Sequence, residues 1–96
     1  METEIPKPQE YYSDDDVRVL VHDVEGITFL HCYVYHMAPS VMKKLKKLLE
    51  EIKEQARSKG FKSLACITPS PKFAKILGGE SLLEQDGLEV FRWALV

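Results

Sequence analysis

The chain is poor in the features that mark several common classes of protein. Its two cysteines, Cys32 and Cys66, form no CxxC pair and have no histidine cluster beside them, so we expect no metal site. No apolar run approaches the roughly 20 residues that span a bilayer. Because no signal-peptide pattern is present either, we expect a cytoplasmic protein with two reduced thiols in its core.

Charge is unevenly distributed but nowhere strongly basic. The net charge is −2, yet residues 1–16 hold six acids and one lysine, a local net of −5, which leaves +3 on the rest. So weakly basic a body does not indicate a nucleic-acid-binding face. Fifteen acids mixed with thirteen bases do not make an acidic DNA mimic either. We therefore expect neither nucleic acid nor membrane as a partner.

The length of the chain indicates a single domain, since chains divide above about 150 residues. Residues 1–15 contain Pro6, Pro8 and five acids, and they show little apolar periodicity. This pattern predicts an extended acidic tail, with Tyr11 and Tyr12 able to pack on the body. Residues 16–96 are predicted to form the folded domain. The role of the tail stays open.

Hydrophobic periodicity predicts six elements in the body. Alternation predicts a strand over 17–24, a turn at Glu25-Gly26 and a second strand over 27–36. Both faces of the second strand are largely apolar, so we expect it to be central and covered on both sides. A helix is predicted over 41–59, ended by Gly60, with one apolar stripe: Val41, Leu45, Leu48, Leu49, Ile52 and Ala56.

The last third of the chain predicts a buried strand over 64–68, a short helix over 73–77, a loop over 80–87 and a strand over 88–95. The resulting order, β-β-α-β-α-β, is that of a small mixed sheet of the α/β (α+β) class. Its central strand–helix–strand unit should be a parallel crossover. Phe91 and Trp93 share a face of the last strand and are interpreted as core residues.

These elements resemble the C-terminal half of the GNAT (Gcn5-related N-acetyltransferase) fold. The resemblance covers roughly residues 17–96 and rests on the strand 29–35, the helix 41–59 and the segments "GFKSLACITPSPKFAKILGG" and "GLEVFRWAL". The segment "PKFAKILGG" is also similar to small acetyltransferase-like proteins encoded by bacteriophages. The first strand and two helices, which build much of the acceptor site in this family, have no counterpart here.

The resemblance implies a site for acetyl-CoA between the end of the second strand and the start of the helix. In the family, splayed strands bond the pantetheine amides through their backbone, and the helix N-terminus faces the pyrophosphate. Carried onto this chain, the cofactor-binding residues would be Cys32, Tyr33, Val34, Ser40, Val41, Lys43 and Lys44. His31 and His36 are weak candidates for a general base, with a structural role as the alternative.

The sequence departs from the family at its two most informative positions. The loop over 36–42 contains no glycine, and Pro39 has no N–H to offer a phosphate. Phe73 or Ala74 stands where the family commonly has a proton-donating tyrosine. Four lysines crowd the helix start, where cations oppose the helix dipole: Lys43, Lys44, Lys46 and Lys47. A site for a polyanion such as coenzyme A would justify this unfavourable placement. Alternatively they form a solvated face paired with Glu50 and Glu51.

Two hypotheses follow. We favour a non-catalytic, acetyltransferase-like module of the GNAT fold that binds a protein partner or a second copy through a sheet edge or face left uncovered. The likeness of its segment "PKFAKILGG" to phage proteins suggests that it is phage-encoded. The alternative is a minimal N-acetyltransferase that transfers acetyl from acetyl-CoA to an amine.

Overall fold

The computed structural model describes residues 7–95, which form six strands and two helices. All six predicted elements are present, with bounds shifted by at most two residues. In chain order the elements are β1 (Gln9–Ser13), β2 (Val17–Val24), β3 (Ile27–Val34), α1 (Pro39–Ser58), β4 (Ser63–Thr68), α2 (Pro71–Ile76), β5 (Glu80–Gln85) and β6 (Leu88–Ala94).

The strands form one mixed sheet in the order β1-β2-β3-β4-β6-β5. Strands β3 and β4 run parallel, in register from Ile27 opposite Ser63 to His31 opposite Ile67, and α1 connects them. The other neighbouring strands are antiparallel. The predicted class and the predicted parallel crossover are therefore confirmed.

Two strands go beyond the prediction, and both lie at sheet edges. Strand β5 occupies most of the segment interpreted as a loop, and it pairs with β6 through a hairpin whose turn residues Asp86 and Gly87 have φ of 54° and 79°. Positive φ at both positions is what a two-residue type I′ turn requires. Strand β1 takes residues 9–13 out of the predicted tail. Residues 1–6 of that tail lie outside the described residues.

Helix α1 covers one face of the sheet with the stripe predicted for it. Val41, Leu45, Leu48, Leu49, Ile52 and Ala56 are all buried. Each large aliphatic side chain removed from water contributes about 1.5–3 kcal/mol. The helix ends as predicted at Gly60, which has φ of 79° and donates its N–H to the carbonyl of Arg57.

The core lies entirely between the helices and this one face. Helix α2 adds Phe73 and Ala74 to the same buried cluster, which also contains Phe91 and Trp93. The core interpretation of these two aromatics is confirmed. Tyr11 and Tyr12 of β1 pack against the cluster and are partly buried, as the sequence allowed.

The opposite face of the sheet is not covered by either helix, so the expectation that β3 is covered on both sides was wrong. Thr28, Leu30 and Cys32 point to the helices and are buried, whereas Phe29 and Tyr33, which alternate with them along the strand, are only half-buried. Both predicted faces are apolar, but only one has helices to pack against within residues 7–95. We call the other the open face.

Neither helix in the described part of the chain is long and apolar enough to cross a membrane.

Candidate functional site

The segment predicted from the resemblance to bind acetyl-CoA begins at the point where β3 and β4 separate. Their pairing stops at His31 and Ile67, and Thr68 pairs onward only with β6, so Cys32–Val34 have no strand residue of β4 opposite them. The N–H of Tyr35 donates to the carbonyl of Asp16 on the β2 side, at 2.7 Å. Since backbone groups alternate along a strand, those of Cys32 and Val34 face the β4 side.

A side chain closes the first part of this gap. The buried Thr68 hydroxyl donates to the carbonyl oxygen of Cys32 at 2.7 Å, and the N–H of Ser70 donates to the same hydroxyl at 2.9 Å. The Cys32 carbonyl is therefore already bonded within the chain. Val34 is left as the residue whose backbone could still meet a pantetheine amide.

The start of α1 offers few free N–H groups. Ala38 is the N-cap residue and supplies no side-chain bond, and Pro39 has no N–H. The N–H groups of Val41 and Met42 both donate to the carbonyl of Ala38 at 3.0 Å. In the first turn this leaves the amide of the exposed Ser40 to meet a phosphate.

Lys44 is engaged by the turn between β1 and β2. Its ammonium forms an ion pair with Asp14, contacts Asp16 at 3.4 Å and lies 5.8 Å from the centre of the Tyr12 ring. The bond to Lys44, followed by that from Tyr12, holds the pKa of Asp14 far below its ordinary value, and the same pair raises the pKa of Lys44. This acidic turn places negative charge beside the helix start, where a polyanion would be repelled.

The other lysines of the helix start are exposed. Two of them, Lys43 and Lys46, border a groove of about 530 Å³ between α1 and the end of α2. Its apolar wall includes Met42, Ile76 and Leu77. The sequence offered Glu50 and Glu51 as ion-pair partners of these lysines, but both are engaged elsewhere. Glu50 contacts Lys53, and Glu51 accepts a hydrogen bond from Tyr11.

The two histidine candidates lie in different places. His36 follows β3 in an exposed position, with its Nδ1 3.5 Å from a carboxylate oxygen of Asp16. His31 lies on the open face, stacked on His22 with 5.1 Å between ring centres. Its Nε2 is buried with no hydrogen-bond partner among the described residues. Desolvation, and then the neighbouring His22, lower the pKa of His31.

Neither the position of the proton-donating tyrosine nor the two cysteines supplies a reactive group. Phe73 and Ala74 are buried in the core, so neither can deliver a proton to a departing thiolate. Both cysteines are free and buried, and desolvation raises the pKa of Cys32 to about 12 and that of Cys66 well above its ordinary value. A thiolate nucleophile at neutral pH is therefore excluded at these two positions.

The open face carries a set of apolar residues that the sequence pattern did not single out. One row crosses five strands at a single level, because Leu20 stands opposite His31, His31 opposite Ile67, Ile67 opposite Val90, and Val90 opposite Leu83. The four residues other than Leu83 are half-buried, and Leu83 is 53% exposed. The sequence suggested an uncovered sheet edge or face without identifying these residues. The alternation of β3, combined with the two helices of the family that have no counterpart here, was the signal that could have identified them.

Comparisons with known proteins bear on the fold. No protein-family model matches the chain, and no curated protein is recognisably related to it. Two solved structures match it at 15% sequence identity. The N-terminal domain of a ribosomal-protein-alanine acetyltransferase from Clostridium acetobutylicum gives a TM-score of 0.59, over 81% of this chain and 72% of that one. A protein assigned as an acetyltransferase in Agrobacterium tumefaciens gives 0.60, over 92% and 74%.

The fold is that of a GNAT acetyltransferase domain. At 15% identity this likeness establishes the GNAT fold and not the activity. The cofactor-binding and catalytic assignments on this chain, and the likeness to phage-encoded proteins, stay predictions.

Proposed function

We propose that this GNAT-fold chain works by binding another protein and does not transfer acetyl groups. The observation that carries the proposal is the open face, on which aromatic and aliphatic side chains are only partly buried and Leu83 is 53% exposed. Soluble monomers rarely leave contiguous apolar surface uncovered, and such surfaces commonly serve as protein interfaces. Tyr33, and the 56% exposed Tyr35 that follows it, are of the residue type that contributes most to such interfaces.

The state of the cofactor region supports the non-catalytic half of the proposal. Thr68 occupies the Cys32 carbonyl, Asp14 and Asp16 engage Lys44, and the helix start has no glycine to let a phosphate approach. Each of these features removes a contact that acetyl-CoA would make in an active member of the family. Together they weaken the cofactor site more than a single substitution would.

Calorimetric titration of the purified chain with acetyl-CoA tests this proposal. We expect no saturable heat, because too few backbone and lysine groups remain to hold the nucleotide. Saturable binding in the micromolar range would overturn it, and its loss in Lys44→Ala would place the nucleotide beside the acidic turn. Lys47→Ala is the matched control, since Lys47 lies on the same helix but outside the groove and outside the acidic turn.

A second candidate, a minimal N-acetyltransferase, is favoured by one observation. The groove between α1 and α2 combines an apolar wall with Lys43 and Lys46, a combination that suits the pantetheine arm and phosphates of coenzyme A. The Val34 backbone and the Ser40 amide would complete that site. Under this alternative Lys43→Ala and Lys46→Ala, and not Lys44→Ala, should weaken acetyl-CoA binding.

A further inference from the structure

The open face has dimensions that suit a second sheet. Strands about 4.8 Å apart and residues about 3.3 Å apart give six short strands a footprint of roughly 500 Å². Two such faces in contact would bury about 1,000 Å² in total, which is the lower bound for a biological interface. Aligned packing of two sheets through one apolar layer is the arrangement of β-sandwich proteins.

The charges at the borders of the open face balance. On the β1–β2 side, Arg18 pairs with Glu10 at 3.2 Å. On the β6–β5 side, Arg92 stands directly opposite Glu80. A strongly charged partner would therefore find no complementary charge on this face. An identical face carries equal numbers of acidic and basic residues at its borders, so it is electrostatically compatible. The row between these borders, which we call the apolar row, consists of His31 and four aliphatic residues: Leu20, Ile67, Val90 and Leu83.

We infer that the partner of the open face is a second copy of this chain, bound face to face across the apolar row in a two-fold dimer. The inference rests on the proposed binding function and names its partner. Ile67 lies in the middle strand of the row, so it sits near the two-fold axis and close to the corresponding residue of the partner. The dimer covers the stacked rings of His22 and His31, which are only partly buried in the single chain.

Sedimentation equilibrium over micromolar to millimolar concentrations tests the dimer. We expect the wild-type chain to self-associate and Leu83→Glu to raise the dissociation constant about tenfold or more, since it places a charge in the apolar layer. Ile76→Glu is the matched control, because Ile76 is also an exposed aliphatic residue, at 64% against 53% for Leu83, and lies at the end of α2 on the helix side. A monomeric wild type, or equal effects of both variants, would overturn the inference.

A cysteine variant gives a second measurement that does not depend on a loss of stability. Ile67→Cys should form a disulfide-linked dimer under mild oxidation, faster than Ile76→Cys does. The two native thiols do not interfere, because both are buried. Failure of the inference can be distinguished from failure of the proposed function. If the chain is monomeric and does not bind acetyl-CoA, only the identity of the partner is wrong. A dimer that binds acetyl-CoA tightly keeps the interface and overturns the proposed lack of catalysis.

Discussion

The hydroxyl of Thr68 donates to the main-chain carbonyl of Cys32 across the point where β3 and β4 separate. The resemblance to GNAT domains predicts an open gap here for a cofactor, whereas one fully buried threonine bridges it. The same oxygen accepts the N–H of Ser70, so it also fixes the start of α2. One side chain thus couples closure of the gap to the position of the second helix.

Removing this hydroxyl should destabilise the fold. Thr68→Val keeps the shape but leaves the Cys32 carbonyl and the N–H of the half-buried Ser70 without this partner. The unpaired buried carbonyl alone should cost about 1–3 kcal/mol. Urea denaturation measures the difference. Thr68→Ser is the control, since it keeps the hydroxyl and loses one methyl group, worth about 0.8 kcal/mol. If the valine variant were as stable as the serine variant, the bond would contribute nothing.

The ion pair between Asp14 and Lys44 makes stability depend on pH in the acidic range. The folded chain lowers the pKa of Asp14 below its ordinary 3.8, so the ionised carboxylate stabilises the fold above that pH. The contribution is lost as the pH falls from about 4 towards the lower folded value. We expect Asp14→Asn to be less stable than wild type at pH 7 and to show a weaker loss of stability between pH 5 and pH 2.

Asp15→Asn is the matched control for this effect. Its carboxylate forms no ion pair within residues 7–95, although it belongs to the same acidic turn. Urea midpoints across the acidic range should follow the wild-type curve for this variant. Identical curves for the two variants would show that the charge of the turn as a whole, and not the pair with Lys44, sets the acid sensitivity.

Some elements of the fold could be predicted from the sequence and others could not. The stripe of α1 and the alternation of β2 were readable because each buries one face on a regular period. Strand β5 was missed because all six of its residues are exposed and no periodicity marks it. The Asp86-Gly87 pair was the available signal, of the same kind as the Glu25-Gly26 turn that was recognised. Strand β1 depends on pairing with β2, which its own acidic sequence does not encode.

The candidate site was only partly predictable for a related reason. The sequence identified the loop without glycine and the missing tyrosine, since both are properties of single positions. The bonds of Thr68 to Cys32 and of Lys44 to Asp14 join residues 36 and 30 positions apart. No local sequence pattern predicts bonds between residues so far apart in the chain. The open face likewise follows from where both helices pack, which is a property of the assembled sheet.

The histidines of the open face should make dimer formation depend on pH. Desolvation already lowers the pKa of His31 in the single chain, and a second copy would remove more water from it, so association favours the neutral ring. Other ionisable groups on this face lie on every strand except β4: Glu10, Arg18, His22, Tyr33, Glu80 and Arg92.

We therefore expect the dissociation constant to rise as the pH falls from 7.5 to 5.5, by at most about tenfold per pH unit for each proton taken up. His31→Gln, which cannot titrate, should reduce this dependence. Sedimentation at several pH values measures it. A dimer whose dissociation constant does not change over this range, in the wild type and the variant alike, would mean that His31 is not desolvated by association.

The buried cysteines should be unreactive while the chain is folded. With the pKa of Cys32 near 12 and that of Cys66 also raised, almost no thiolate exists at pH 7.5. A chromogenic disulfide reagent should therefore react slowly with the native chain and rapidly with two thiols per chain in denaturant. Fast reaction of one thiol in the folded chain would point instead to an accessible, activated cysteine.

Amide-resolved NMR of the isotopically labelled chain during titration with acetyl-CoA tests the claim of a closed cofactor site most directly, because it locates any binding on the backbone. The amides to follow are those of Val34 and Ser40, the two positions whose backbone is left to meet the cofactor. We expect no saturable shift at either amide up to millimolar acetyl-CoA. Saturable shifts confined to Val34, Ser40 and the groove between α1 and α2 would contradict it and identify a working acetyl-CoA site.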